Sequence, residues 1–441
     1  MVIKDILGVI YAPHKTFKKV ANNPKYLAVA IIVLLFIALQ SVYYYNYYSK
    51  ISYEQTMPPA GQLSAFTSSG VNSLYEPQIA NQWVVTQGAV ITENYQDYIN
   101  QTFYGENSLQ FVLPNSNSLS ASFEQFGYTA DCSSNGFTSL NMNIKQVSPN
   151  AAPNSGSITL YTSNSTSSYF TLDITSMLTN NRGSWNNLTI PVGGSEWQST
   201  GSPEWSEVTG LKFSITYPSS SEINILLQGV FFRGQYLTQT GALGSGMFFS
   251  IAIYSIFMQA VFQWIILAVV SYLLLKVLKA NNIVWKPLIV AIGFTLMAIV
   301  ITSIFLVLSS LTLPEISCPY DLPFSTIAYS DAIVNSAAPT SQALYKLILE
   351  DTATFTTLTT VINVFMYILQ IIFVTFAIKA VSGCTYIKTI TQNTDSDTTT
   401  IETVNVDSHS ELSYIKCIVI AVVTVISTAL ILALLAGLGI F

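Results

Sequence analysis

Charge is what this chain of 441 residues has least of: 9% of it is Asp, Glu, Lys or Arg, against about 25% in an ordinary soluble domain. With half of the residues apolar, that scarcity excludes a soluble cytosolic enzyme. Histidine is almost missing, with His14 and His409 alone, and the four cysteines include no Cys-x-x-Cys pair. These counts argue against a His/Cys metal cluster and against a disulfide-dense scaffold. There is no Walker loop, no Gly-x-Ser-x-Gly and no His-Glu-x-x-His, so phosphate-cradling, serine-hydrolase and zinc-protease chemistries lack their signatures. A net charge of -6, from 17 basic and 23 acidic residues, gives nucleic acid no electrostatic footprint. No enzymatic activity, no cofactor and no nucleic-acid partner is expected.

Uninterrupted apolar sequence is abundant instead. Crossing a ~30 Å hydrocarbon core takes about 20 residues. Five runs qualify, 27 to 47, 248 to 275, 287 to 311, 355 to 378 and 417 to 438, and none holds Asp, Glu, Lys or Arg. Pro13 and Pro24 precede the first run, and Tyr43, Tyr44, Tyr45, Tyr47 and Tyr48 close it. It reads as a retained signal anchor with an aromatic belt. Lys and Arg set the orientation. Segments 1 to 26, 276 to 286 and 379 to 416 hold eleven of the 17, and the remaining six are spread over the other side. The expectation is a multi-pass protein of the cell membrane, N-terminus cytoplasmic and C-terminus outside.

Within the runs the polar groups are uncharged. Gln259 and Gln263 lie at i and i+4 on the second, and Asn363 and Gln370 at i and i+7 on the fourth, so each pair shares a helix face. They read as hydrogen-bonding glue between helices. Ala429, Ala433 and Gly437, spaced by four, read as a small-residue packing seam. Ahead of the first run, Ile3, Ile6, Leu7 and Ile10 recur at helical spacing, with Lys15, Lys18 and Lys19 beside Phe17 and Val20. This is an amphipathic segment suited to the inner leaflet, or alternatively to protein docking.

Segment 51 to 247 breaks the composition, being rich in Ser, Thr, Asn, Gln, Tyr and Gly, with four basic and twelve acidic residues. From about residue 108 apolar and polar residues alternate between turn clusters, as in Leu109-Gln110-Phe111-Val112-Leu113 and Ile223-Asn224-Ile225-Leu226-Leu227. That pattern predicts an all-β sandwich outside the membrane, inserted between the first two helices, with its core at about 81 to 237. A further outside loop covers 312 to 354, and a cytoplasmic loop 379 to 416. All three Asn-x-Ser/Thr acceptors, Asn100, Asn164 and Asn187, fall in the sandwich and are expected to carry glycans. Cys132 and Cys318 are both outside, which permits a bridge; two buried free thiols are the alternative. Trp83, Trp197 and Trp205 are candidates for stacking on a sugar ring, Trp83 the freest of them, while Trp185, Trp197 and Trp205 read more readily as residues that seal the sandwich core. Glu196, Glu204 and Glu207 read as solvated loop residues more readily than as a glycosidase pair.

Two resemblances follow. Pro13-His14-Lys15-Thr16-Phe17-Lys18-Lys19-Val20-Ala21-Asn22-Asn23-Pro24, Asn282-Ile283-Val284-Trp285-Lys286-Pro287 and Ala377 to Lys388 resemble the lead-in, third-span and fourth-span stretches of the Yip (Ypt-interacting protein) family, in its divergent prokaryotic branch. The acidic cytoplasmic motif of eukaryotic members is absent, so Rab binding is not implied. Tyr169 to Thr175, Trp185 to Pro191, Trp197, Gly201 to Phe213 and Ile223 to Phe232 resemble galactose-binding-like jelly rolls, the fold of many carbohydrate-binding modules. Gln228 stands where that class often has Asp, which weakens any calcium site. The expected protein is a non-enzymatic scaffold or partner-binding component of an archaeal-type cell surface, in contact with the bilayer and with membrane or surface proteins. The alternative is a transporter or channel-like subunit whose outer domain captures a solute or saccharide.

Overall fold

A computed structural model describes residues 2–59, 63, 67, 82–100, 104–179, 182–278, 284–322, 339–383, 386–391, 401–406 and 412–438, with backbone only for the strands at 386–391 and 401–406. In chain order the elements are α1 (Val2–Tyr11), α2 (Pro13–Asn22), α3 (Tyr26–Ser49), β1 (Ile51–Met57), β2 (Trp83–Val85), β3 (Val90–Asn94), β4 (Ser108–Phe123), β5 (Ser139–Ser148), β6 (Ser155–Thr162) and β7 (Ser165–Asp173). There follow α4 (Thr175–Leu178), β8 (Asn186–Pro191), β9 (Gln198–Thr200), β10 (Val208–Thr238), α5 (Gln239–Leu243), α6 (Ser245–Val277), α7 (Trp285–Thr295) and α8 (Met297–Ser310). The last are β11 (Ile316–Cys318), α9 (Pro339–Ser382), β12 (Tyr386–Thr391), β13 (Ile401–Val406) and α10 (Tyr414–Gly437). They form two compact units: a helical one of Met1–Lys50, Gln239–Glu315 and Leu349–Phe441, and a β one of Ile51–Thr238 and Ile316–Ile348.

The β unit is built around two long antiparallel strands, β4 and the 31-residue β10. Leu211 to Thr216 pair with Phe123 to Ser118, and Ile223 to Leu227 with Leu113 to Leu109; the register shifts at the polar Ser/Pro stretch between them. On its other edge the first half of β10 pairs with β6, and the second half with β5. One leaf therefore runs β9-β7-β6-β10-β4-β2 and the other β8-β5-β10-β4-β3. Alternation sets the core. Leu109, Phe111, Leu113, Leu119, Ala121 and Phe123 of β4 and Phe213, Ile215, Ile223, Ile225 and Leu227 of β10 join one buried cluster with residues of β5 to β8. The result is a jelly-roll-like β-sandwich, as the alternation predicts.

Its boundaries differ from the simple insert read from the sequence. Segment 239 to 247 belongs to the helical unit, whereas residues 316 to 348, taken as a separate loop, join the β unit. The far end of β10 pairs with β1, Ser52 opposite Thr238 and Met57 opposite Phe232, and β11 adds to β1 in parallel, Ile51 opposite Ile316. The sandwich is thus not confined to the stretch between the first and second apolar helices. Periodicity could not reveal a three-residue strand contributed from more than 250 positions downstream.

In the helical unit, five helices are long and apolar enough to cross a membrane: Tyr26–Ser49, Ser245–Val277, Trp285–Ser310, Ser341–Ser382 and Tyr414–Gly437. The fourth extends well into the region read as outside loop. The third, with 78% of its apolar window buried against 28 to 39% for the others, is the central one. The others turn large apolar side chains outward, among them Leu34, Ile251, Phe257, Val361, Ile368 and Leu430. Close approach explains the centre's sequence: a Cβ on Gly293 would fall 2.6 Å from both methyls of Val29, and the Trp264 indole donates to the Ile289 carbonyl at 2.8 Å. At the end of α3, Tyr43 stacks on Tyr47, Tyr47 on Phe355 and Tyr45 on Phe249.

α1 and α2 pack against each other. Asp5 turns inward and pairs with Lys19, Ile6, Val9, Phe17 and Val20 are buried, and Ile3, Leu7, Ile10 and Tyr11 are exposed. The single apolar stripe read over Ile3, Ile6, Leu7 and Ile10 is therefore divided: Ile6 serves the core and the rest face outward.

Candidate functional site

The sandwich is the first place to look for a site; its tryptophans are engaged in packing, whereas Tyr95, Tyr128 and Tyr236 are exposed. Trp83, read as free to meet a sugar, is 4% exposed and sits edge-on between Phe111 and Phe123, with ring centroids 5.6 Å from each. The reason is register: β2 pairs with the last three residues of β4, Trp83 opposite Phe123, which directs the indole into the core. Trp197 is buried and donates to the Pro191 carbonyl at 2.8 Å. Trp205 lies flat on Phe170, centroids 3.8 Å apart and planes 6° from parallel. Trp185 is half-buried, and its indole donates to Asp97 Oδ1 at 3.2 Å.

The outward face of the β5-bearing leaf is covered by the chain itself. Gln228, fully buried, accepts from the Ile99 amide at 2.6 Å and donates to the carbonyls of Tyr104 and Gly105 at 3.3 Å. The residue that weakened a calcium site thus works as a clasp for the segment over the sheet. Lys145 donates to Asp97 at 2.6 Å, and Ser108 to the Asp97 carbonyl at 2.7 Å. Under this cover Asn141, Asn143 and Leu226, which alternate outward, are buried. At Gly229, φ is +57° and a Cβ would fall 2.7 Å from the Asn143 amide nitrogen and 3.1 Å from the Tyr104 ring; only glycine fits. Glu196, Glu204 and Glu207 are exposed, and Glu207 accepts from Ser163 Oγ at 2.5 Å. No group of His, Cys, Asp and Glu among the described residues could hold a metal ion.

Asn100, Asn164 and Asn187 are all exposed, Asn164 at the tip of the β6–β7 hairpin, where Ser163 and Asn164 both take positive φ. The bridge read between Cys132 and Cys318 is absent: both are buried free thiols. Cys132 belongs to the sandwich core, its amide on the Trp205 carbonyl at 2.7 Å, while Cys318 lies on β11 opposite Tyr53. Burial pushes the Cys318 thiol up to about 12, and raises Cys132 further, with the Asp131 charge adding to it.

Residues 316 to 320 are held in the β unit by a different device. Glu54, its side chain 1% exposed, accepts from Arg233 Nε at 2.8 Å and Nη2 at 3.1 Å, and from the amides of Gly234 at 3.0 Å and Tyr320 at 3.2 Å. The guanidinium lies 4.8 Å from the Tyr320 ring centre, and the Tyr320 hydroxyl is 3.1 Å from that of Tyr104. Burial, with the Tyr104 contact, pushes the Tyr320 phenol far above its ordinary range. Nothing in the local sequence marked Glu54 and Arg233 as partners 179 positions apart.

The second place is the interior of the helical unit, where a cavity of about 570 Å³ opens between the helices. Gln259 and Gln263 of α6, Asn363 and Gln370 of α9, and Gln40 of α3 all line it, with Thr302 and Ser303 of α8. Phe36, Ile299, Leu306, Met366 and Val425 form its apolar walls, and none of its lining residues is charged. The amides are graded in depth: Gln370 is 1% exposed, Gln263 and Gln40 are buried, Gln259 is half-buried, and Asn363 and Tyr367 are exposed at the mouth. Ser303 Oγ donates to Gln40 Oε1 at 3.2 Å, and Thr302 Oγ1 donates to carbonyls of its own helix. Gln370 Nε2, fully buried, has no hydrogen-bond partner among the described residues. The structure therefore brings the two separate amide pairs to one space. It does not join them by the interhelical bonds read from their spacing: Gln259, Gln263 and Asn363 make no side-chain hydrogen bond among the described residues. Ala429 and Ala433 line this cavity, whereas Gly437 is exposed with nothing within 4 Å of a Cβ built on it. Gln40 went unnoticed in the sequence because the other carboxamide of its helix, Asn46, is six positions on and does not share its face. The signal that could have found it is the set of all carboxamides within uncharged runs.

No protein-family model matches this sequence. No curated protein matches it either, so the Yip likeness has no support beyond the quoted stretches. Solved structures do resemble part of it. A β-1,2-glucanase from Parabacteroides distasonis matches 34% of this chain at 17% identity and a TM-score of 0.25, and the chain spans 22% of that enzyme. A family 11 carbohydrate-binding module from Clostridium thermocellum, solved with a β-1,3-1,4-mixed-linked tetrasaccharide, matches 41% of this chain and 95% of its own at 10% identity and a TM-score of 0.24. An exo-β-agarase matches 37% of this chain and 24% of its own at 11% identity and a TM-score of 0.27. Likeness at this level transfers no ligand and no residue role to this chain.

Proposed function

We propose that this is a multi-pass membrane protein without enzymatic activity, with its N-terminus in the cytoplasm and its sandwich and C-terminus outside, serving as a scaffold or partner-binding component of the cell surface. The observation that carries the membrane reading is the two-piece sandwich. Residues 51–238 and 316–318 share one sheet, so they belong on one side of any bilayer, and the two apolar stretches between them fit an out-and-back pair of crossings. The outward apolar side chains of the helices and the aromatic belt of α3 support lipid contact. The eleven-to-six division of Lys and Arg supports the orientation.

For the sandwich, the packed tryptophans, two of them buried and two half-buried, and the self-covered sheet face favour contact with a neighbouring protein or support of the helices over a role as a sugar receptor. Such a receptor needs an exposed aromatic face beside orienting polar groups. Exposed Asn100, Asn164 and Asn187 fit glycan attachment. Labelling of introduced cysteines tests the reading: Lys15→Cys and Lys388→Cys should react only from the cytoplasmic side, Asn150→Cys and Lys346→Cys only from outside. Reversal at any site sinks the topology. A saccharide bound with micromolar affinity by the sandwich would replace the scaffold reading with a receptor. A second reading, capture of a solute by the helical unit, is favoured by one observation, the amide-lined cavity.

A further inference from the structure

We infer that the cavity of the helical unit is a binding site for a neutral, hydroxyl-rich group: a polyol or monosaccharide, free in solution or carried as the headgroup of an uncharged glycolipid. The inference is independent of what the sandwich contacts.

Three observations lead to it. The first is convergence. Amides from three helices, α3, α6 and α9, that are remote in sequence meet in one space of about 570 Å³, within the usual range of small-molecule sites. If each amide served only to hold its helix to a neighbour, it would be expected to bond across a helix contact; among the described residues only Gln40 does so, to Ser303. The second is the state of Gln370. Burying an amide without a partner costs about 1 to 3 kcal/mol, yet Gln370, a lining residue of the cavity, is 1% exposed and its Nε2 has nothing to donate to among the described residues. A turn of the side chain toward the cavity would give that nitrogen a ligand acceptor and remove the cost.

The third observation is chemical. A carboxamide offers a donor pair and an acceptor side by side, which complements a hydroxyl, itself donor and acceptor, and matches two adjacent hydroxyls best. Ser303 has its proton on Gln40, and Thr302 has its own on backbone carbonyls, so both present acceptor lone pairs inward. With no Lys, Arg, Asp or Glu on the lining, a charged ligand would be left uncompensated in an apolar surround, at a cost well above that of a neutral one. Phe36, Ile299 and Met366 supply the apolar contacts that a ring's C–H face or the base of a lipid headgroup would use. The mouth, with Asn363 and Tyr367 exposed beside Ala433 and Ala436, admits such a group.

The test uses the full-length protein in phosphatidylcholine nanodiscs. Calorimetric titration with myo-inositol and with galactose probes the free source. Incorporation of monogalactosyl diacylglycerol, followed by mass spectrometry of lipid retained through purification, probes the lipid source; phosphatidylglycerol is the anionic control. Binding of a free probe, or selective retention of the glycolipid over the anionic lipid, supports the inference and identifies the source. Gln370→Leu and Gln263→Leu, near-isosteric and apolar, should each weaken that binding at least tenfold with the thermal midpoint unchanged or raised. Should either variant fail to fold, Ala433→Leu at the mouth should block binding without touching the buried amides. The inference is overturned if neither source binds, if phosphatidylglycerol is retained as well as the glycolipid, or if binding survives these substitutions unchanged.

Discussion

Glu54 and Arg233 show most directly how a single pair holds this protein in shape. Truncating one member of a buried pair leaves the other charge unsatisfied, at about 3 to 5 kcal/mol; at ~2 to 4 °C per kcal/mol for a unit of this size, Glu54→Ala should lower the unfolding midpoint by roughly 10 °C. Glu54→Gln paired with Arg233→Met should recover part of that loss, and equal melting of Glu54→Ala and the parent protein would show the pair to be inert. The cysteines give a second residue-level prediction. Because burial raises both thiols, the folded protein should leave Cys132 and Cys318 unmodified by iodoacetamide at pH 8.5, where a free thiol is about half ionised. Peptide mapping should find both modified after unfolding. The same shift means the folded state holds these protons more tightly, so their contribution to stability is complete below the unfolded thiol's pKa and declines as pH rises past it. Trp197 and Trp205 were legible as packing residues through the jelly-roll likeness, in which large residues at these places seal the core. Trp83 was not, since only its pairing opposite Phe123 in β4 turns it inward.

At the level of elements, alternation was enough to place β4, β6, β8 and β10, whose apolar residues face one core, and lack of charge was enough to place five apolar helices. What stayed hidden was assembly. β1 and β11 are short and amphipathic in no obvious way, and they acquire strand character only by pairing with β10. The core expected at about 81 to 237 lacks Glu54 when taken as a fragment, and leaves Arg233, Phe231 and Tyr104 without their cover. It should melt at least 10 °C below a fragment of residues 51 to 238 carrying residues 316 to 322 on a flexible linker, by circular dichroism of the two. Coincident transitions would mean that the added strands contribute nothing. Among the helices, the two amide pairs were legible as shared faces, but which face met which could not be read from spacing. Convergence on one cavity depends on how the other four long helices are ordered around α7 and α8.

For the molecule as a whole, glycan occupancy offers a compact check. Native protein should show modified Asn100, Asn164 and Asn187 by mass spectrometry, and all three unmodified would withdraw the support these sites lend to an outside location. The discontinuous sandwich has a further consequence, in the order of synthesis. β10 is the centre of both leaves and the last of the long strands to leave the ribosome, so earlier strands wait for their principal partner. β11 arrives only after α6, α7 and α8 have been made, about 80 residues later, or roughly 4 to 16 s at ordinary elongation rates. During that interval Glu54 and Arg233 lack Tyr320, and the β1 edge lacks β11. Completion of the sandwich therefore depends on the intervening hydrophobic segments returning the chain to the side where β1 waits. A nascent chain that inserted those segments wrongly would carry an open sheet edge, a form that quality-control proteases and chaperones distinguish from the finished protein.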